Sequence, residues 1–341
     1  MAETKSREIR LKKRPVGMPR ESDFELAEVK LPEPGAGEVL VRNIYVSVDP
    51  YMRGRMADRK SYTPPFQLGE ALTGGCVGQV VRSHNDRYQP GDFVLGMQGW
   101  REFFVSQGSD LRSVDPALAP IQAFLGTMGM PGLTAYVGLL DIGRLRDGET
   151  VFVSAASGAV GSVVCQIAKI KGCRVVGSAG SERKVDWLLS DIGIDEAFNY
   201  KDADDMMAEL ARACPDGIDV YFDNVGGDHL EAAIQHMNNF GRGVLCGMIS
   251  VYNATEPMSG PRNLFYAVGR RLTLQGFIVS DHYDRFPQFY ADMATWIGQG
   301  RMRWQETIVD GIENAPSAFI GLFKGDNLGK MLVKVGPDPT A

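Results

Sequence analysis

The chain has few cysteines, few histidines, no long apolar run and no excess of positive charge, and each shortage removes a class of protein. Its five cysteines, Cys76, Cys165, Cys173, Cys214 and Cys246, stand far apart with no Cys-x-x-Cys pair. They read as reduced, mostly buried thiols of a cytoplasmic protein, and no structural zinc site is expected from them. The four histidines, His84, His229, His236 and His282, form no His-Glu-x-x-His motif. His229 and His236 fit one helical face, but no thiolate or acid motif joins them, so each reads as a lone surface or core histidine. No stretch of about eighteen uninterrupted apolar residues exists, so no membrane span is expected. The first residues lack the apolar h-region of a secretory signal. Lysine and arginine number 36 against 42 acids, a formal charge of −6, which argues against a nucleic-acid partner. The short run Lys12-Lys13-Arg14 reads as a solvated arm.

What is present is the composition of an ordinary globular protein, 44% apolar and 23% charged. A length of 341 residues favours two domains. Up to about residue 126, short β-like runs such as Glu38–Arg42, Gly78–Arg82 and Asp92–Gly96 alternate with Pro-Gly turns. The middle differs. Strand candidates Val151–Val153, Arg174–Val176, Ala197–Tyr200, Ile218–Phe222, Gly243–Cys246 and Leu272–Gly276 recur with helical segments between most of them. That alternation predicts an α/β fold with a doubly wound parallel sheet. The last thirty or so residues are strand-like again and are expected to rejoin the first domain. The expected division is 1–126 with 312–341, and 127–311.

The strongest local signal is Thr150-Val-Phe-Val-Ser-Ala-Ala-Ser-Gly-Ala-Val-Gly-Ser162. A β-branched run meets a turn of small residues, and an apolar helical pattern follows. Ala156, Gly158 and Gly161 occupy the Gly-x-Gly-x-x-Gly fingerprint of a dinucleotide site, with alanine in the first place. Gly158 would let backbone approach a pyrophosphate, Gly161 would let helix pack on strand, and Ala159 and Val160 lie between them at the helix start. The same residues also suit a plain βα turn. The second strand ends without the acid that binds a ribose 2′-hydroxyl. Ser181, Arg183 and Lys184 follow instead, and cations with a hydroxyl suit a 2′-phosphate, so NADPH is expected over NADH. Glu182 weakens the signal, and Ser181 also suits a helix cap.

The segments Val48–Met56, Gly129–Tyr136, Ala155–Gly161, Gly172–Gly177, Tyr221–Gly227 and Asn327–Lys330 are spaced along nearly the whole chain. Together they resemble the zinc-independent medium-chain dehydrogenase/reductases of the leukotriene 12-hydroxydehydrogenase/prostaglandin reductase group. The resemblance implies a GroES-like, β-rich catalytic domain beside a Rossmann domain, and often a homodimer. It implies NADPH-dependent reduction of the C=C bond of α,β-unsaturated ketones and aldehydes. It places the pyrophosphate turn at Gly158 to Gly161, the adenosine phosphate at Lys184 and Tyr200, and Asn224 beside the nucleotide. Cys246, Gly247, Ile249 and Ser250 match a loop over the nicotinamide. Phe277, Ile278 and Val279 match a cofactor-lining strand end, and Asn327 matches a C-terminal contact. Zinc enzymes of this architecture need Cys and His ligands, yet Ser47–Tyr51 has neither, and no histidine precedes Glu70 in Leu68–Gly75.

Without a metal, charge developing on the substrate carbonyl oxygen needs another hydrogen-bond donor. The family's candidate is a tyrosine, matched here by Tyr252, which otherwise packs on cofactor or substrate. Tyr51 and Met130 are the candidates for the substrate pocket, and each suits a core position equally. Arg53 suits a structural ion pair. The stretch from Asn253 to Arg271 sets substrate size or forms a dimer surface. An NADPH quinone reductase and a non-catalytic NADPH-binding protein remain the alternatives. Curcumin-like diketones, 2-alkenals and oxo-lipids all present the same reactive unit.

Overall fold

The computed structural model describes residues 4–341. They form two compact units, one running to Leu125 and resuming at Glu306–Ala341, the other spanning Gly126–Gln305.

In the first unit β1 (Thr4–Leu11) and β2 (Phe24–Leu31) pair antiparallel. A larger sheet follows, from β3 (Val39–Ser47), β4 (Cys76–Ser83), β5 (Phe93–Gly96), β6 (Phe103–Ser106) and β7 (Arg112–Val114). The strand β3 is buried except at Arg42, and it pairs with both β4 and β6. A one-turn helix, α1 (Met52–Arg55), leaves its end. The returning stretch is not simply strand-like. It begins at Glu306 with a strand, Glu306–Asp310, continues as a helix, Ala315–Lys324, and ends in the strand Lys330–Lys334 beside β3. The helix forms because Ala315, Ala318 and Phe319 repeat at helical spacing, and all three are buried. Trp100 lies at the centre of this core, its ring 6.0 Å from those of Phe24 and Phe319. Its indole N–H donates to the Ser47 carbonyl at 3.2 Å, so burying it leaves no orphan donor.

In the second unit strands and helices alternate: α2 (Met130–Val137), β8 (Thr150–Val153), α3 (Gly161–Ile170), β9 (Arg174–Ala179), α4 (Glu182–Trp187), β10 (Glu196–Asn199), α5 (Met206–Ala213), β11 (Ile218–Asp223), α6 (Gly227–His236), β12 (Met237–Leu245), α7 (Tyr266–Arg270), β13 (Thr273–Gly276) and α8 (Phe286–Gly298). The six strands pair in the order β10-β9-β8-β11-β12-β13, all parallel. Counted from β8, that is 3-2-1-4-5-6, the Rossmann order. The strand β8 has helices over both faces and is buried at every residue, which is why it reads as an unbroken apolar run. Val163, Val164, Ile167 and Ala168 of α3 have no exposed surface, so one stripe of this helix is core. The strand β12 starts at Met237, six residues before the apolar run at Gly243. Its first half is the polar Asn238 and Asn239 and an exposed Phe240, with a register shift against β11. The strand order reverses between β8 and β11, so their carboxyl ends border the crevice where ligands bind in such sheets.

Candidate nucleotide site

The chain leaves β8 through Ser154–Val160 and enters α3. Ala155 takes a left-handed conformation, φ 48°, a position that strains a residue with a side chain. The Gly158 amide donates to its carbonyl at 3.0 Å and closes the turn. A Cβ on Gly161 would stand 2.4 Å from that same carbonyl oxygen and 2.9 Å from the Ala156 Cα, so only glycine permits this approach of helix to strand. A Cβ on Gly158 would meet only the Ala155 oxygen, at 3.2 Å, and the protein otherwise leaves space there. Gly158, Ala159 and Val160 are half-buried, whereas Ala156 has no exposed surface and its methyl packs against Gly177. A small-residue turn opening on the N-terminus of a helix fits a pyrophosphate.

Next to it, β9 ends at Ala179 without an acid. Ser181 stands at the N-cap of α4 in extended geometry, but its hydroxyl makes no capping bond to the helix. Lys184 follows in the first turn, half-buried. The chain of β10 comes alongside, and the Tyr200 amide donates to the Ala179 carbonyl at 3.0 Å. A Cβ on Gly180 would be 3.2 Å from the Tyr200 hydroxyl, so Tyr200 lies directly against the strand end that carries Ser181. Beneath it is His229, buried, with its ring edge-on to Tyr200 at 5.0 Å and parallel to Phe152 at 6.5 Å. Its Nε2 is 3.0 Å from the Ser178 hydroxyl. Burial pushes the imidazole down to about 4, so it is neutral at neutral pH.

At the switch point the ends of β8 and β11 are linked by side chains. The Asn224 amide donates to Ser154 Oγ at 2.9 Å, and Asn224 Nδ2 donates to the Ser154 carbonyl at 2.8 Å. The loop after β12 is tied to the loop after β11. The amides of Cys246 and Gly247 donate to the Asp223 carbonyl, at 2.9 and 3.0 Å. Those of Ile249 and Ser250 donate to the carbonyls of Asn224 and Val225, at 3.2 and 3.1 Å. The hydroxyl of Tyr252, half-buried, accepts the Met248 amide at 3.4 Å. A Cβ on Gly247 would stand 3.0 Å from that hydroxyl oxygen. Burial pushes the Cys246 thiol up to about 12, so it is no thiolate nucleophile near neutral pH. Phe277, Ile278 and Val279, all half-buried, continue from the end of β13, with the Phe277 ring 6.4 Å from that of His282.

The residues expected from sequence to meet the cofactor therefore fall in four groups within this unit: the β8–α3 turn, Ser181 with Lys184 and Tyr200, Asn224 with the 246–252 loop, and Phe277–Val279 after β13. Met130, also in this unit, opens α2, and its sulfur is 3.6 Å from the Thr134 hydroxyl. Tyr51 and Asn327 belong to the other unit. Tyr51 packs on that unit's apolar core. The turn before it is held by the buried Lys330, whose ammonium donates to Asp49 at 3.1 Å and the Val48 carbonyl at 3.0 Å. Arg53 donates to the carbonyls of Pro15 and Gly17 and is buried. Asn327 Nδ2 donates to the Gly329 carbonyl at 2.7 Å within its own turn. Sequence reasoning assigned no site role to Ser154, Asp223 or His229. The signal for Asp223 was an acid closing the apolar run Val220–Phe222.

Two family profiles match the chain, one described as the N-terminal domain of oxidoreductase over residues 7–114, the other as zinc-binding dehydrogenase over residues 159–296. The donor set does not suit zinc, because among the described residues no three His, Cys, Asp or Glu side chains converge. The chain is 44% identical over 345 residues to NADPH-dependent curcumin reductase of Escherichia coli (strain K12), covering 99% of this chain and 100% of that one. It is 44% identical over 339 residues to the NADP(+)-dependent 2-alkenal reductase of Nicotiana tabacum, covering 98% of each. The crystal structure of CurA in complex with NADPH from Vibrio vulnificus superposes with a TM-score of 0.93 at 44% identity, over 97% of this chain and 100% of that one. The chain thus belongs to the medium-chain dehydrogenase/reductase family, in the group of the curcumin, 2-alkenal and prostaglandin reductases.

Proposed function

We propose that this protein uses NADPH to reduce the C=C bond of α,β-unsaturated ketones and aldehydes. The observation that carries the reading is the glycine turn, the Ser181–Lys184–Tyr200 group and Tyr252 on the carboxyl edge of one parallel sheet. The names of the relatives, curcumin reductase and 2-alkenal reductase, supply the substrate class.

When bound, NADPH supplies the hydride that the substrate β-carbon takes. Ser181 and Lys184, with Tyr200 beside them, hold the 2′-phosphate. The turn through Gly158, Ala159, Val160 and Gly161 takes the pyrophosphate at the start of α3, where the helix dipole favours negative charge. Asn224, the loop of Cys246, Gly247, Ile249 and Ser250, and the Phe277–Val279 stretch orient the nicotinamide half. Tyr252 donates a hydrogen bond to the substrate carbonyl oxygen as it becomes an enolate, an interaction that strengthens as charge develops. Ala156 enters the reading as the first position of the glycine fingerprint, and Tyr51, Met130 and Asn327 enter it through the family resemblance.

The same reading includes a homodimer and a cytoplasmic location. The edge strand β13 exposes Gln275 and Gly276, and Leu264, Phe265 and Val268 are exposed nearby in sequence. An open strand edge beside apolar side chains suits a second copy. The five cysteines are unpaired.

Following NADPH absorbance with 3-nonen-2-one and, separately, with a simple quinone tests the activity. Faster loss of NADPH with the enone supports it. Turnover of the quinone alone favours a quinone reductase.

A further inference from the structure

Asp223 closes β11 and has no exposed surface. One carboxylate oxygen, Oδ1, accepts the Tyr221 hydroxyl at 2.7 Å and the amides of Val225 and Gly226 at 2.9 and 2.8 Å. Ser154 Oγ stands 3.3 Å from the same atom. The other oxygen, Oδ2, is buried with no hydrogen-bond partner in the protein. The Asp223 carbonyl accepts the amides of Cys246 and Gly247. One residue thus holds two loops. Its side chain fixes the turn that starts at Asn224, and its backbone fixes the loop that ends at Tyr252. Through Ser154 it also meets the β8 end, since Ser154 Oγ accepts the Asn224 amide.

Placing a carboxyl in such a setting is unfavourable unless its bonds are needed, because burial disfavours the charged form. An apolar side chain would close the strand more cheaply. The turn amides, however, would then be buried without an acceptor.

We propose that Asp223 is a positioning residue for NADPH, setting the loops that meet the nicotinamide half while leaving the 2′-phosphate end untouched. The inference rests on the NADPH reading above. It assigns no contact between Asp223 and the cofactor. The 2′-phosphate group at Ser181, Lys184 and Tyr200 hangs on β9 and β10, separated from β11 in the sheet by β8. A change at Asp223 should therefore divide the two halves of the cofactor.

The test measures affinity by fluorescence titration and calorimetry with two probes, NADPH and 2′,5′-ADP, and needs no turnover. In Asp223→Ala the dissociation constant for NADPH should rise about tenfold, and that for 2′,5′-ADP should stay within about twofold. Asp223→Asn keeps an acceptor for the turn amides and should recover most of the loss. Ser154→Ala removes the hydroxyl that accepts the Asn224 amide and meets Tyr221 and Asp223, and should weaken NADPH by about threefold, again sparing 2′,5′-ADP. Ser154→Ala carries the test if Asp223→Ala does not fold. Equal weakening of both probes would reduce Asp223 to a merely structural residue and overturn the proposal. Unchanged NADPH affinity in Asp223→Ala, or in Ser154→Ala where Asp223→Ala does not fold, would overturn it too. If the wild-type protein binds neither probe, it is the NADPH reading that fails.

Discussion

The Tyr252 hydroxyl lies where a Cβ on Gly247 would come within 3.0 Å of it. The two residues stand on one loop, and the absence of a side chain at Gly247 leaves room for the phenol at Tyr252. If Tyr252 is the donor to the enolate oxygen, two substitutions should lower kcat by different routes. Tyr252→Phe removes the donor and should cost about 10²–10³ in kcat, less if a ribose hydroxyl substitutes. Gly247→Ala keeps the hydroxyl but displaces it, and should also lower kcat. Steady-state kinetics on 3-nonen-2-one read both, and full kcat in Tyr252→Phe would refute the donor role.

Lys184 is the half-buried cation at the β9 end. Lys184→Ala should raise the KM for NADPH about tenfold or more and change that for NADH by less than about twofold. Kinetics with each cofactor at saturating enone decide the matter. An equal effect on both would remove Lys184 from the 2′-phosphate.

His229 gives the protein a pH dependence whose sign follows from its burial. Its folded value of about 4 lies below the ordinary 6.5. Between those values the unfolded chain binds more protons, so acid favours unfolding. The contribution is fully present above pH 6.5 and fades as pH falls toward 4, by up to about 3 kcal/mol. His229→Phe, which preserves a ring against Phe152 and Tyr200, should show a flatter decline in urea-unfolding free energy from pH 6.5 to 4.5. Parallel curves for variant and wild type would contradict this.

If two copies meet along β13 and α7, a charge there should separate them. Val268 is 83% exposed in the single chain. Sedimentation should give twice the 37.3 kDa chain mass for the wild type and a monomer for Val268→Glu. A wild-type monomer, or a variant that stays dimeric, would rule out this surface.

Much of the second unit was legible because buried parallel strands leave a plain trace. Val151–Val153 is an apolar run, Ile218–Phe222 is apolar except at Asp219, and the glycine turn between β8 and α3 names its own geometry. Other features left weaker traces. The helix Ala315–Lys324 was hidden between two strands, although its apolar spacing was there to read. The first half of β12 was hidden by Asn238 and Asn239, which carry no apolar pattern and fall in the register shift between the Met237–Ile218 and Arg242–Val220 pairs. The Ser154–Asn224 tie joins residues seventy apart in sequence. It exists only because β8 pairs with β11, a fact of topology that no local pattern carries. His229 was read as a lone surface or core histidine, and its place under Tyr200 depends on α6 carrying it against Phe152 and Ser178, residues far off in sequence.

The most direct test of the central claim is the fate of the hydride. The purified protein would be given 3-nonen-2-one and NADPH carrying deuterium at the transferred position, and the product examined by NMR. Reduction of the C=C bond gives a saturated ketone with deuterium on the β-carbon. An unsaturated alcohol with deuterium on the carbinol carbon would mean carbonyl reduction and would contradict it.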